Sequence, residues 1–192
     1  MENKNMNNTK KIEITEIDMD SLGEAILACV ANTKRNCKSI NTQITKMATM
    51  SFVPWTSANE QYDNIVEKMA VKSELINLCR EFKKWGRGLS EQRKKFFIAY
   101  FVQKDKHLCT ELGSSANYHK VNILPMARSF ANYLELNTDL KPVELLKNPF
   151  VYRFYVNTLT QNESFSRRGN WVNKGGQAYD CATNERCYSS CL

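Results

Sequence analysis

Histidine is nearly missing from this chain, with two among 192 residues, and proline and glycine are scarce at four and seven. So few histidines leave little material for a metal site, and so few glycines leave little for a loop that cradles phosphate through its backbone. Glu-x-x-His, His-Glu-x-x-His and glycine-rich phosphate motifs are absent. No apolar run approaches the roughly 18 residues of a membrane-spanning helix. Residues 1–20 are polar, without the apolar stretch of a secretory signal, which places the expected location inside the cell. These gaps argue against an enzyme, a cofactor, a resident metal and a membrane partner.

What is present is ordinary globular material with two outliers. Hydrophobic residues make up 42% and charged residues 24%, enough for a folded domain that needs no metal or disulfide. Asparagine is abundant at 20, and cysteine stands at an odd seven. Lysine and arginine exceed the acids, 27 to 20, for a formal charge of +7. That balance suits nucleic acid, an anionic surface or an acidic patch on another copy. The basic runs Lys34-Arg35, Lys83-Lys84, Arg93-Lys94-Lys95 and Arg167-Arg168 are scattered, as solvated faces are.

Hydrophobic spacing predicts an all-α fold, an irregular multi-helix bundle of about six to eight helices with an extended N-terminal arm and an irregular C-terminal tail. Residues 1–20 read as the arm, 21–161 as the helical domain and 162–192 as a cysteine-containing tail. On the arm Ile12, Ile14 and Ile17 alternate with polar residues, as in a strand that lies against a neighbour. A small or apolar residue every three or four positions from Leu22 to Met47 predicts one helix of about 28 residues. Its narrow face resembles a seam between helices, and Thr33-Lys34-Arg35-Asn36 is the place where it could split. Ser57-Ala58-Asn59-Glu60 is a capping box for a second helix, with Tyr62, Ile65, Val66, Met69, Ile76, Cys79 and Phe82 inward and a left-handed glycine cap near Gly86. Ser90 caps a third, whose aromatic run through Val102 predicts the central position. Leu124-Pro125 should end a helix from Ser115 and start the next, and Pro142 and Pro149 mark two further starts, the last helix ending near Gln161.

Two stretches invite a functional reading. His107 and Cys109 lie two apart on a helix and face different ways, so they make no catalytic pair. The segment Leu89-Ser90-Glu91-Gln92-Arg93, the aromatic helix, and then His107-Leu108-Cys109-Thr110-Glu111-Leu112-Gly113 resembles sigma-factor region 4 and small phage terminase subunits. That resemblance implies a helix-turn-helix with Gly113 in the turn. Asn117, His119, Lys120 and Asn122 would then read bases while Lys94, Lys95 and Lys106 hold phosphates. The chain departs from the pattern at His119, which replaces a branched apolar residue, and at Pro125.

The cysteines point elsewhere. Cys181, Cys187 and Cys191 are spaced by five and three residues, unlike zinc ligand pairs, and lie in a polar tail with Trp171. An odd count suits bridges between copies, while Cys29, Cys37, Cys79 and Cys109 fall on helices as packing residues. A helical body with two arms and tail thiols is similar in design to occlusion-body matrix proteins of the polyhedrin type, without a shared sequence motif. The resemblance implies a self-assembling structural protein, made in the nucleus of an infected cell and carried in virus-derived particles. It also implies a lattice that dissolves in alkali, since neutral lysines and ionised tyrosines would carry the charge from +7 far below zero.

Overall fold

The computed structural model describes residues 17–49, 55–113, 116–169, 171–172 and 178–179. Among the described residues seven α-helices follow one another: α1 Met19–Ala31, α2 Thr33–Ala48, α3 Trp55–Gly86, α4 Glu91–Phe97, α5 Lys106–Gly113, α6 Leu124–Asn137 and α7 Pro149–Gly169. The fold is all-α, as the spacing predicts. Ile12, Ile14, Cys181, Cys187 and Cys191 lie outside the described residues. Trp171 does not: Trp171–Val172 pairs antiparallel with Ala178–Tyr179, and α7 runs on to Gly169 rather than stopping near Gln161.

The long helix expected from Leu22 to Met47 is two helices, and they have different surroundings. Asn32 interrupts it at φ −101°, ψ 7°, with its side-chain amide on the Ala28 carbonyl (2.8 Å) and the Thr33 hydroxyl on the Cys29 carbonyl (3.3 Å). Such local bonds compete with the helix ladder. Asp18 caps the front, accepting from the Asp20 and Ser21 amides, and its own amide donates to the Tyr155 hydroxyl at 3.0 Å. That bond ties the chain entry to α7, and Ile17 beside it packs on the core of its own chain.

The centre belongs to α1 rather than to the aromatic helix. Leu22, Ala25, Ile26, Leu27 and Cys29 are fully buried, packed between α6 and α7 and against α3. Two small residues make the α6 contact close: a Cβ added at Gly23 would sit 2.9 Å from the Ala127 carbonyl oxygen. α6 answers with Met126, Ala127, Phe130 and Leu134, and α7 with Val151 and Tyr155. Phe82, Trp85, Phe97 and Phe130 form an aromatic cluster beside them, centroids 4.6–5.7 Å apart.

Two wider π-helical turns account for further departures. α4 passes at Ile98 into a π turn through Gln103, so Phe96, Ala99 and Phe101 face in while Ile98 and Val102 stay half exposed. A second, His119–Ile123, leads straight into α6, so Leu124-Pro125 does not separate two helices. Proline lacks an amide and crowds the carbonyl four residues back, and the looser π turn accommodates it. α3 begins at Trp55, placing Ser57–Glu60 inside the helix rather than at its cap. Its far end closes by the tight bonds Arg87 N to Lys84 O and Gly88 N to Trp85 O, with no left-handed glycine. Pro142 precedes a 3-10 turn, Glu144–Lys147, and Pro149 opens α7.

Candidate functional site

α2 and the first half of α3 form an antiparallel hairpin that reaches away from the core. Beyond Ile40 in α2, and from Asn59 up to Leu75 in α3, no described residue is fully buried. The two helices hold each other through half-buried Cys37, Ile44, Ile65 and Val71, and Gln61 donates to the Met47 carbonyl near the tip. α3 has a second apolar face. Tyr62, Val66, Met69 and Ile76, expected to point inward, are 67%, 45%, 57% and 42% exposed. At 3.6 residues per turn they form one stripe, offset from the buried face of Leu75, Leu78 and Phe82.

Charge divides along this stripe. Asp63 and Glu67 lie on one side of α3 and Lys68 and Lys72 on the other, next to α2, while Glu74 turns to its own chain and accepts from the Asn148 side-chain amide at 2.5 Å. α2 itself carries Lys34, Arg35, Lys38 and Lys46 and no acid. Within the chain these groups repel rather than pair. Asp63–Glu67 and Lys68–Lys72 are like charges four residues apart, and from Glu60 to Ile76 no opposite pair falls at three or four. Elsewhere such pairs do form, as in Glu81–Lys84 (2.6 Å) and Glu91–Lys94 (2.7 Å).

A second feature lies at the root of the hairpin. A cavity of about 310 Å³ opens where α2, the end of the first π turn and α7 meet. Its charged lining is Arg35, Lys104 and Arg153, with no carboxylate. None of the three is within ion-pair distance of an acid among the described residues. Lys104 holds a left-handed backbone at φ 59°, and the Arg153 guanidinium sits over the Phe150 and Phe154 rings at 5.4 and 5.6 Å. Asn36 is buried, and the hydrogen bond of its side-chain amide is a long one to Cys29 Sγ, 3.9 Å. Burial pushes that thiol up to about 12.

The residues singled out for DNA reading are not brought together on one open face. His119 turns inward: its Nε2 lies 2.9 Å from Glu24 Oε2, and the Tyr100 hydroxyl donates to Glu24 Oε1 at 2.6 Å. Glu24 is buried, and burial and that neighbouring carboxylate raise the Tyr100 hydroxyl well above the ordinary tyrosine range. Asn117 and Lys120 are exposed and Asn122 half-buried along the turn entering α6. Gly113 is needed for closeness, since a Cβ there would sit 3.0 Å from Tyr118 Cβ and 3.3 Å from Phe96 Cζ. Lys94 is taken by Glu91.

Cys109 is buried while His107 faces solvent against Glu111, so the two diverge as their spacing predicts. Cys29, Cys37, Cys79 and Cys109 are free thiols. Among the described residues no cluster of three or more His, Cys, Asp or Glu could hold a metal, and no helix is long and apolar enough to cross a membrane. The chain matches no protein-family model, no curated protein and no solved structure.

The residues missed by sequence reasoning are the outward stripe of α3 and the cations of the cavity. Arg35, Lys104 and Arg153 come from three distant segments, and no spacing links them. The stripe did leave a signal: α3 has more apolar positions than one face can hold.

Proposed function

We propose that this chain is a non-catalytic, self-associating structural protein, and that its projecting hairpin pairs with the hairpin of a second copy. The carrying observation is the exposed stripe Tyr62–Val66–Met69–Ile76, with acids on one flank and lysines on the other. A twofold axis parallel to the helices sets the acidic flank of each α3 against the lysine flank and basic α2 of its partner. A twofold across the helices sets acid against acid. Charge therefore selects the parallel arrangement, and it relieves the like-charge pairs each copy carries alone.

The expected strength is modest. Burying a side chain of this size fully contributes about 1.5–3 kcal/mol, and these are already half covered, so two stripes supply on the order of 8 kcal/mol. Association costs roughly 4–15 kcal/mol; against the low end of that cost the pair holds at about millimolar concentration, and many contacts in an assembly would reinforce it. Exchanged arms anchored by Ile12 and Ile14, and tail thiols Cys181, Cys187 and Cys191, would extend such pairs into a lattice of the alkali-labile kind that the occlusion-body resemblance implies. The DNA-binding alternative draws less support, because His119 faces Glu24.

Sedimentation of the full chain tests this. Wild type forms a concentration-dependent higher species, Met69→Lys removes it without changing the far-UV spectrum, and added salt weakens it. Tyr62→Cys cross-links to its own copy on oxidation beyond the wild-type background, because a parallel twofold places each stripe residue opposite itself. A wild type that stays monomeric at millimolar concentration sinks the proposal. A Met69→Lys variant that still assembles removes the stripe from it. Salt-sensitive duplex DNA binding by a monomer would support the alternative instead.

A further inference from the structure

The geometry points to the cavity at the root of the hairpin as a binding site for a small molecule bearing a pyrophosphoryl group. Three cations, Arg35, Lys104 and Arg153, converge on it from α2, the end of a π turn and α7, and no carboxylate lines it. Concentrating like charge without a counter-charge destabilises a fold, and a bound anion reverses that cost. The nearest acid in sequence, Asp105, is already engaged, accepting from the Leu108 amide at 3.0 Å. A phosphomonoester carries about −1.5 to −2 at neutral pH, too little for three cations, whereas a diphosphate or triphosphate matches them. The cavity, at about 310 Å³, lies at the lower end of the range for small-molecule sites, roughly 300–1,000 Å³.

Two further observations point the same way. Lys104 occupies a left-handed conformation that glycine or asparagine adopts at low cost, so the chain carries backbone strain to place a cation at this cavity. Arg153 lies over two phenylalanine rings, which limits its rotamers and presents the guanidinium for a planar, bidentate contact. The polar remainder, Asn32, Asn36 and Asn157, offers amide donors and acceptors to the rest of such a molecule. Asn36 is buried there with only a thiol as its described side-chain partner.

Titration calorimetry of the full chain with sodium pyrophosphate, at constant ionic strength, tests the site, with inorganic phosphate and adenosine triphosphate as comparison probes. Pyrophosphate and the triphosphate bind saturably and raise the melting temperature, and inorganic phosphate binds at least about tenfold more weakly. Arg35→Gln and Arg153→Gln each weaken pyrophosphate about tenfold or more. Lys104→Gly separates binding from folding: it loses affinity while the ligand-free protein melts at the same or a higher temperature. Absence of saturable pyrophosphate binding overturns the assignment. So does binding unchanged by the Arg35→Gln, Arg153→Gln pair, or displacement of pyrophosphate by a single-stranded oligonucleotide that binds far more tightly.

Discussion

Replacing Gly23 by alanine sets two local effects against each other. In a helix interior alanine is favoured over glycine by about 0.8–1.0 kcal/mol, so sequence reasoning alone expects stabilisation. The tertiary structure reverses the sign. The added Cβ would meet the Ala127 carbonyl oxygen at 2.9 Å, its carbon at 3.1 Å and its Cβ at 3.3 Å. The two closest are backbone atoms of α6, so no side-chain rotation relieves the contact, and α1 and α6 must move apart. Overpacking of this kind costs about 1–3 kcal/mol, leaving Gly23→Ala destabilised by about 1 kcal/mol net of propensity. Gly23→Val has a smaller propensity gain and two more methyl groups, and loses about 2 kcal/mol or more. Urea unfolding reads this as a midpoint falling in the order Gly, Ala, Val at constant slope. The melting temperature drops by about 2–4 °C per kcal/mol. Gly86→Ala is the control, because a Cβ there meets nothing closer than Phe82 Cε1 at 4.0 Å; it should be neutral or stabilising. A Gly23→Ala protein as stable as wild type would refute the close approach of α1 and α6.

Three other perturbations probe polar contacts and a thiol elsewhere in the fold. Tyr100→Phe deprives the buried Glu24 carboxylate of a 2.6 Å bond and should cost about 1.5–3 kcal/mol in urea unfolding; a loss under half of that would show the bond contributes little. Asp20 makes a bidentate pair with Arg128, whose hydrogen bond holds the carboxyl below its ordinary 3.8. The stability it lends is complete above the unfolded value and disappears as pH falls through the lower folded one. The stability gap between wild type and Asp20→Asn should accordingly narrow on acidification, and a gap constant with pH contradicts the pairing. Cys29, buried and pushed up to about 12, should resist iodoacetamide at pH 8 in the native chain and react once urea is added, as peptide mass mapping will show. Rapid native alkylation at Cys29 would place it at the surface.

Helix content was legible because its signals are local. Ser90 caps α4 through its hydroxyl on the Arg93 amide, Gly113 closes α5, and Pro149 opens α7, each within a turn of its cause. Other local signals were outcompeted. The spacing from Leu22 to Met47 reads as one helix, yet the backbone leaves helical angles at Asn32 and divides it. The aromatic run from Phe96 to Val102 suggested the centre, but α1, with alanine, glycine and serine beside Leu22, Ile26 and Leu27, fits closer between two helices and takes it. His119 looked like a base reader on a short helix. Its partner Glu24 is 95 residues away in sequence, and nothing near either residue announces the pair.

The candidate sites divide in the same way. The amino-acid order by itself determined the all-α class, through apolar spacing within single helices, and the net charge of +7, a sum over residues that needs no partner. Where that charge acts is a tertiary matter. Folding α3 back along α2 decides which of its two apolar faces is covered, and so leaves Tyr62, Val66, Met69 and Ile76 outward between an acidic and a basic flank. Arg35, Lys104 and Arg153 come to line one cavity only where α2, the end of the π turn and α7 meet. Helix formation depends on neighbours a few residues apart, whereas a shared surface depends on chain segments that only packing brings together.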